Sequence, residues 1–314
     1  MNLPPGYTSR PAFHDDLDAI VELVDAVDRA DVGLWDPVRD ELRWEWSAPR
    51  FRLERDTRVV LDGDGRLIAY ADVHAHDPSV QIRAWTQVHP GHRSDDLGNG
   101  LLAWIEDHGR GLLPDGARDV PLRHGGSATG AWTSELLRAR GFAHARTFRQ
   151  MARPLVADEP APAEVDGIRF RPSERGRDDR AIYDVDDGAF QGHFGYEPMA
   201  FDEWSAQWFS DPNYDPGLVF MAFDDETPVG LSLSLIEEGV GWVGVLGVLA
   251  PWRQRGVGRA LLQRAFAELA RRGVAETRLG VDADNEHRAS HLYESAGMVL
   301  RREWHIYEKP ISAG

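Results

Sequence analysis

One pattern of residues occurs twice along the chain, in the same order and at similar spacing. Gly6-Tyr-Thr-Ser-Arg10-Pro11 returns as Gly167-Ile-Arg-Phe-Arg171-Pro172. Val88-His-Pro-Gly-His-Arg93 returns as Val248-Leu-Ala-Pro-Trp-Arg253, and each arginine stands eight residues before a Leu-Leu pair, Leu101-Leu102 and Leu261-Leu262. Leu136-Leu137-Arg-Ala-Arg-Gly141-Phe142 parallels Leu292-Tyr293-Glu-Ser-Ala-Gly297-Met298. A chain of 314 residues has room for two domains, so the repeat predicts one fold used twice. Between the copies, Ala157-Asp-Glu-Pro-Ala-Pro-Ala-Glu164 is rich in proline and acidic residues and lacks periodicity, as a linker does. The expected division is a first domain at residues 1–154, a linker at 155–167 and a second domain at 168–314.

The second copy is the easier to read. Leu218–Phe223 and Val229–Ile236 are apolar strand-length runs separated by the turn residues Asp224 to Pro228. Gly241–Leu249 is apolar throughout most of its length and reads as a buried central strand. Over Gly258–Arg272, residues Leu261, Leu262, Ala265, Phe266 and Leu269 fall on one helical face, and Gly273 ends the helix. Thr277–Val281 is a further strand, Glu286–Ala296 a helix closed by Gly297, and Val299–Glu308 a last strand or hairpin. Strands first, then strands alternating with helices, predict an α/β class: a mixed, mostly antiparallel twisted sheet flanked by helices, present in tandem.

Charge and composition narrow the partners. A net charge of −17 disfavours phosphate-backbone binding, so no nucleic acid is expected. No apolar run approaches a membrane span, and the N-terminus lacks a basic patch before an apolar stretch, so neither a membrane association nor a signal peptide is expected and the cytoplasm is the default location. The chain contains no cysteine, which removes thiolate nucleophiles and thiolate metal sites.

The densest chemical motif is Arg253-Gln254-Arg255-Gly256-Val257-Gly258-Arg259-Ala260, set between the central strand and the amphipathic helix. Glycines there let the backbone turn tightly and aim N–H groups at an anion, and the helix start adds positive potential. This is a pyrophosphate cradle. It lacks the Gly-Lys-Ser/Thr of a Walker loop, and Leu261 occupies the third glycine position of a dinucleotide fingerprint.

Placed in order, Val248, Arg253, Gly256, Gly258 and Leu261-Leu262 resemble motif A of the GNAT acetyltransferases. Val281-Asp-Ala-Asp-Asn285 followed by Ala289-Ser290-His-Leu-Tyr293-Glu-Ser-Ala-Gly297 resembles that family's second coenzyme segment. The resemblance implies two tandem GNAT folds and acetyl-CoA as cosubstrate, with no metal. It implies that backbone groups of Leu246, Gly247 and Val248 line the pantetheine arm. Gln254 to Arg259 would hold the pyrophosphate, and Asn285 and Ser290 would lie near the coenzyme. Tyr293 would protonate the departing thiolate; a phenol with pKa near 10 is protonated at neutral pH and able to donate. An amine acceptor is an ammonium at neutral pH and must lose a proton first, so a base is expected, with Glu237 and Glu238 the nearest by sequence. Direct attack in a ternary complex is the expected mechanism.

The first copy reads as degenerate. Asp95 and Asp96 stand where Arg255 and Gly256 do, and two carboxylates repel a pyrophosphate. Thr129 and Leu137 stand for Asn285 and Tyr293. Elsewhere, Asp72, His74 and His76 alternate and so share one strand face, a pattern open to metal binding or to simple exposure. Asp282, ahead of Asn285, and His193, in Ala189-Phe190-Gln-Gly-His193, are expected to face the acceptor.

The tandem layout and Ala189-Phe190-x-Gly-His193 further resemble the mycothiol synthases, which acetylate a cysteinyl amino-sugar inositol. Those proteins carry a glutamate three residues ahead of Val-Leu-Gly-Val; here Val245-Leu-Gly-Val248 is present and the matching position is Trp242, which cannot accept a proton. The reading is therefore a tandem N-acetyltransferase acting on a primary amine, most simply a small molecule, as a monomer or homodimer. Mycothiol synthesis, protein N-acetylation and coenzyme sensing without turnover are the alternatives.

Overall fold

The computed structural model describes residues 1–34, 36, 38–48, 50–75, 77–284 and 289–314, with side chains left aside at Ala289 and Ser290. The chain forms two compact units, one of residues Met1–Phe148 with Glu303–Gly314, the other of Arg149–Arg302.

The first unit runs β1 (Thr8–Arg10), α1 (Leu17–Asp31), α2 (Arg39–Trp46), α3 (Leu53–Asp56), β2 (Thr57–Leu61), β3 (Leu67–His74), β4 (Ile82–Val88), α4 (Asp95–Leu112), β5 (Val120–Ser127) and α5 (Ala131–Ala139). β6 (Ala143–Pro154) carries the chain into the second unit. There follow β7 (Ile168–Pro172), α6 (Asp179–Phe190), α7 (Phe201–Phe209), β8 (Val219–Asp224), β9 (Thr227–Glu237), β10 (Val240–Val248), α8 (Val257–Arg271), β11 (Glu276–Asp282) and α9 (Ala289–Ser295). β12 (Val299–Ile311) leads back into the first unit.

Each unit repeats one plan. β1 to β4 pair antiparallel in sequence order, and β4 then pairs parallel with β5. β7 to β10 do the same, and β10 pairs parallel with β11. The parallel step in each follows a crossover helix, α4 or α8, as parallel neighbours require. Helices cover both faces. Val60, Ala69 and Ala71 pack beneath α4 with Leu101, Leu102 and Ile105, while Val59 and Tyr70 meet α1 and α2 on the other side. In the second unit Leu231, Leu233 and Leu235 pack with α6 and α7, and Leu262, Ala265 and Phe266 of α8 pack with Leu279 and Val281.

The seams differ from the expected domain limits. Trp304–Ile311 of β12 pair antiparallel with β5, so the last strand completes the first unit's sheet. Tyr307 is fully buried there. Local sequence carries no sign of this exchange, because a strand's pattern records that it is buried and not which sheet it joins.

The repeated glycines at the helix ends have one cause. Gly141 and Gly297 have φ of +84° and +83°. The following N–H groups, of Phe142 and Met298, donate back to the carbonyls of Leu137 and Tyr293, both at 3.0 Å. These are the capping bonds of a left-handed helix end, with a buried residue after the glycine.

Candidate active site

The site is built around a fork between β10 and β11. These strands pair only at Gly241↔Thr277 and Trp242↔Arg278. Beyond Trp242 the ladder opens, while β10 stays paired with β9 as far as Val248↔Gly230. The opening coincides with a bulge between Val243 and Val245. An extra residue reverses the alternation of side chains. Val243 accordingly packs with α8 and Val245 with α6 and α7, while Leu246 and Val248 return to the α8 side. The β11-facing backbone edge of β10 from Gly244 to Val248 is thus available to an extended ligand, which would bind as an added strand does. Gly247 serves packing: a methyl group there would lie 2.9 Å from the Ala189 Cβ of α6.

The phosphate loop leaves the end of β10. Gln254 and Gly256 both adopt left-handed backbone conformations, with φ of +61° and +87°. Gly256 is the N-cap of α8, and no side chain caps that helix. The first intrahelical donor in this turn is the Ala260 N–H, bonded to Gly256 O at 3.0 Å. The Val257, Gly258 and Arg259 N–H groups therefore belong to the unsatisfied first turn, where an anion is stabilised. The three arginines of the motif do different things. Arg253 donates from Nε to Val248 O and from Nη2 to Ala189 O, both at 2.9 Å, and so pins the strand end to α6. Arg259 donates to Ser295 O at 3.1 Å, tying α8 to α9. Arg255 is exposed beside the loop.

Tyr293 lies in α9 with only 8 % of its surface exposed, in one cluster with Leu262, Phe266 and Met298. Burial pushes its hydroxyl up to about 12, so the phenol is protonated at neutral pH. Asn285 falls outside the described residues, and Ser290 falls in the first turn of α9. Glu237 ends β9 and Glu238, exposed with φ +48°, forms the turn to β10. That turn is at the opposite end of β10 from the phosphate loop. Trp242 is half-buried with the Arg278 guanidinium 5.8 Å from its ring centroid. Arg278 and Asp282 alternate with Leu279 and Val281, which face α8, and so project to the α6 side. Asp282 Oδ1 also accepts the Asp284 N–H at 2.9 Å.

The α6 side holds acidic groups that sequence reasoning missed. Asp186 on α6 accepts a hydrogen bond from Trp204 Nε1 of α7 at 2.9 Å, and burial raises its carboxyl to about 6. Asp187 accepts from the Tyr196 hydroxyl, whose pKa is pushed up to about 12 by burial and this bond. Glu197 has a buried carboxylate oxygen with no hydrogen-bond partner among the described residues. His193 lies in the same connection, its ring 5.0 Å from that of Phe190. The Asp-rich run on α6 was the available signal, but its burial depends on α7.

A forked parallel strand pair, a glycine-started helix without a cap, and a buried phenol next to that helix define a coenzyme A-dependent acyltransferase. Known proteins agree. The acetyltransferase (GNAT) family profile matches residues 180–298. The mycothiol acetyltransferase of Kineococcus radiotolerans is 33% identical over 94% of both chains. A GCN5-related N-acetyltransferase from Sphaerobacter thermophilus superposes with a TM-score of 0.86 and 33% identity, covering 100% of this chain and 98% of that one. A tandem GNAT protein of the clavulanic acid pathway shares the fold, with a TM-score of 0.73 and 15% identity over 97% and 98% of the two chains. The chain belongs to the GNAT family and is an acetyl-CoA-dependent N-acetyltransferase.

Proposed function

We propose that the second unit alone carries catalysis and transfers the acetyl group of acetyl-CoA directly to a small-molecule primary amine. The observation that carries this reading is the fork beyond Trp242 facing the uncapped, glycine-started α8, a combination that the first unit lacks. Acetyl-CoA supplies an activated thioester. The backbone of Leu246 to Val248 would hold its extended arm and the loop from Gln254 to Arg259 its pyrophosphate. The amine nitrogen forms the new bond to the acetyl carbon as the carbon–sulfur bond breaks, and Tyr293 gives its proton to the leaving sulfur.

The proton lost by the ammonium needs an acceptor. Supporting Asp186 over Glu237 and Glu238 are its half-buried place between α6 and α7 and its carboxyl near 6, which is ionised at neutral pH yet basic enough to serve. Asp187, Glu197 and Asp282 add negative charge that favours a cationic acceptor. The cysteinyl amine of an amino-sugar inositol is such an acceptor, and the names of the curated relatives favour it. Release of free CoA from acetyl-CoA with a panel of amines, including that compound and peptides with free N-termini, tests the reading. Turnover with peptides alone would replace the small-molecule acceptor. Tight coenzyme binding with no release for any amine would replace catalysis with sensing.

A further inference from the structure

The first unit has chemistry of its own, at three β3 positions whose counterparts on β9 of the second unit are leucines. The registers align the two: Ala69 pairs with Val88 as Gly230 pairs with Val248. Counting from there, Tyr70, Asp72 and His74 of β3 occupy the places of Leu231, Leu233 and Leu235 of β9. The leucines lie in the core under α6 and α7. On β3 the same positions face α2, which brings Glu45 to Asp72 and His74. One ligand atom from each of these three lies within 4.8 Å of the others.

The arrangement is built rather than incidental. Asp72 is 1% exposed, and its Oδ2 has no hydrogen-bond partner among the described residues. His74 Nε2 is buried and likewise without a hydrogen-bond partner, 3.7 Å from Asp72 Oδ1. Phe51 stacks on the imidazole at 4.2 Å and 9°, fixing the ring plane. Buried carboxylates are paired or hold metal as a rule. Arg83, the cross-strand neighbour of His74, is exposed and leaves the Asp72 oxygen without a donor.

We propose that Glu45, Asp72 and His74 form a site for a first-row divalent cation such as Zn²⁺, unrelated to acetyl transfer in the second unit. Two carboxylates and a neutral imidazole neutralise a divalent charge, and oxygen with nitrogen donors suit Zn²⁺, Mn²⁺ or Co²⁺. Bonds of about 2.0–2.2 Å require the three atoms to close in slightly. Glu45, the longest of the side chains, has the reach to do this, and water completes the coordination. His76, which shares the alternating sequence pattern, lies outside the described residues.

The test uses the full chain after chelator treatment. Calorimetric titration with Zn²⁺ should show one equivalent bound, and Co²⁺ should give visible ligand-field bands. Glu45→Gln keeps the shape of a partly exposed side chain, His74→Asn replaces the imidazole by a smaller polar group, and circular dichroism checks the folding of both. Each should weaken Zn²⁺ binding by at least about tenfold. Absence of stoichiometric uptake by the unaltered chain, or uptake unchanged in either folded variant, overturns the proposal.

Discussion

Helices α4 and α8 occupy equivalent places in the two units, each after a parallel-paired strand and an arginine, yet they begin in opposite ways. α4 starts at Asp95 and is capped by Ser94, whose side chain accepts the Leu97 N–H. Asp95 and Asp96 in its first turn satisfy the helix dipole from within. α8 starts at Val257 behind a left-handed Gly256, with no cap and no acidic residue in its first turn. The neighbourhood differs too. A methyl group at Gly98 of α4 would lie 2.4 Å from Leu136 of α5, and one at Gly100 would lie 2.4 Å from the Asn2 carbonyl oxygen. At Gly258 of α8 the nearest atoms would be at 3.6 Å. The first unit has filled and capped the place where the second keeps room and open donors.

The forks differ in the same sense. β4 and β5 stay paired one position longer, through Ala84↔His124. The fully buried His124 donates from Nδ1 to Gly125 O at 2.7 Å and accepts at Nε2 from the Thr86 hydroxyl of β4 at 3.0 Å, closing the gap with a side-chain hydrogen bond. Burial holds this imidazole at about 4, hence neutral. β4 also lacks the bulge of β10. Thr129 Oγ1 donates to Asp31 O at 2.7 Å, and Leu137 is fully buried. Both positions have become structural. Duplication kept the scaffold, and what separates the copies is whether polar groups at the fork and helix start are satisfied internally.

The sharpest way to break this contrast is to make α8 resemble α4. Gly256→Asp should abolish detectable acetyl-CoA binding in calorimetry, because it adds a carboxylate and strains a left-handed position. Retained affinity would remove the argument for a silent first unit. Tyr293→Phe keeps the buried ring and should lower kcat by about 10²–10³ with coenzyme affinity nearly intact; equal turnover would remove the phenol as acid. Asp186→Asn should lower kcat/KM by about 10² at neutral pH. The unaltered enzyme should lose activity as pH falls through about 6, where the carboxylate takes up its proton. The variant should lack that limb, and a limb that persists assigns the base elsewhere. The smallest effect concerns the first unit: Ser94→Ala should cost about 1 kcal/mol in thermal or denaturant unfolding and leave turnover unchanged.

Legibility varied by element. The Leu-Leu pairs, the helix-ending glycines and Gly256 each report a local demand: an apolar helix face or a left-handed φ. Helix α8 was expected at Gly258–Arg272 and spans Val257–Arg271. Arg253 opens the loop motif in the sequence, a place that suits an anion ligand. Its guanidinium instead bonds carbonyls on β10 and α6, which no local pattern reveals. Asp186 and Glu45 escaped notice for a like reason, since each acquires its setting from a helix or strand distant in sequence.

By itself, the sequence determined the duplicated α/β plan, the acetyltransferase class and the loss of glycine and arginine from the first phosphate loop. The plan and the loss follow from periodicity, turn chemistry and charge, which act over a few residues, and the class follows from the resemblance of two local segments to the GNAT motifs. Only the tertiary structure decided that β12 completes the first unit's sheet, that β10 parts from β11 at a bulge, and that His124 closes the matching gap. It also decided that Glu45 joins Asp72 and His74. Such outcomes depend on which strands and helices meet, and the free energy of burying a polar or ionised group is set by those partners rather than by its neighbours in the chain.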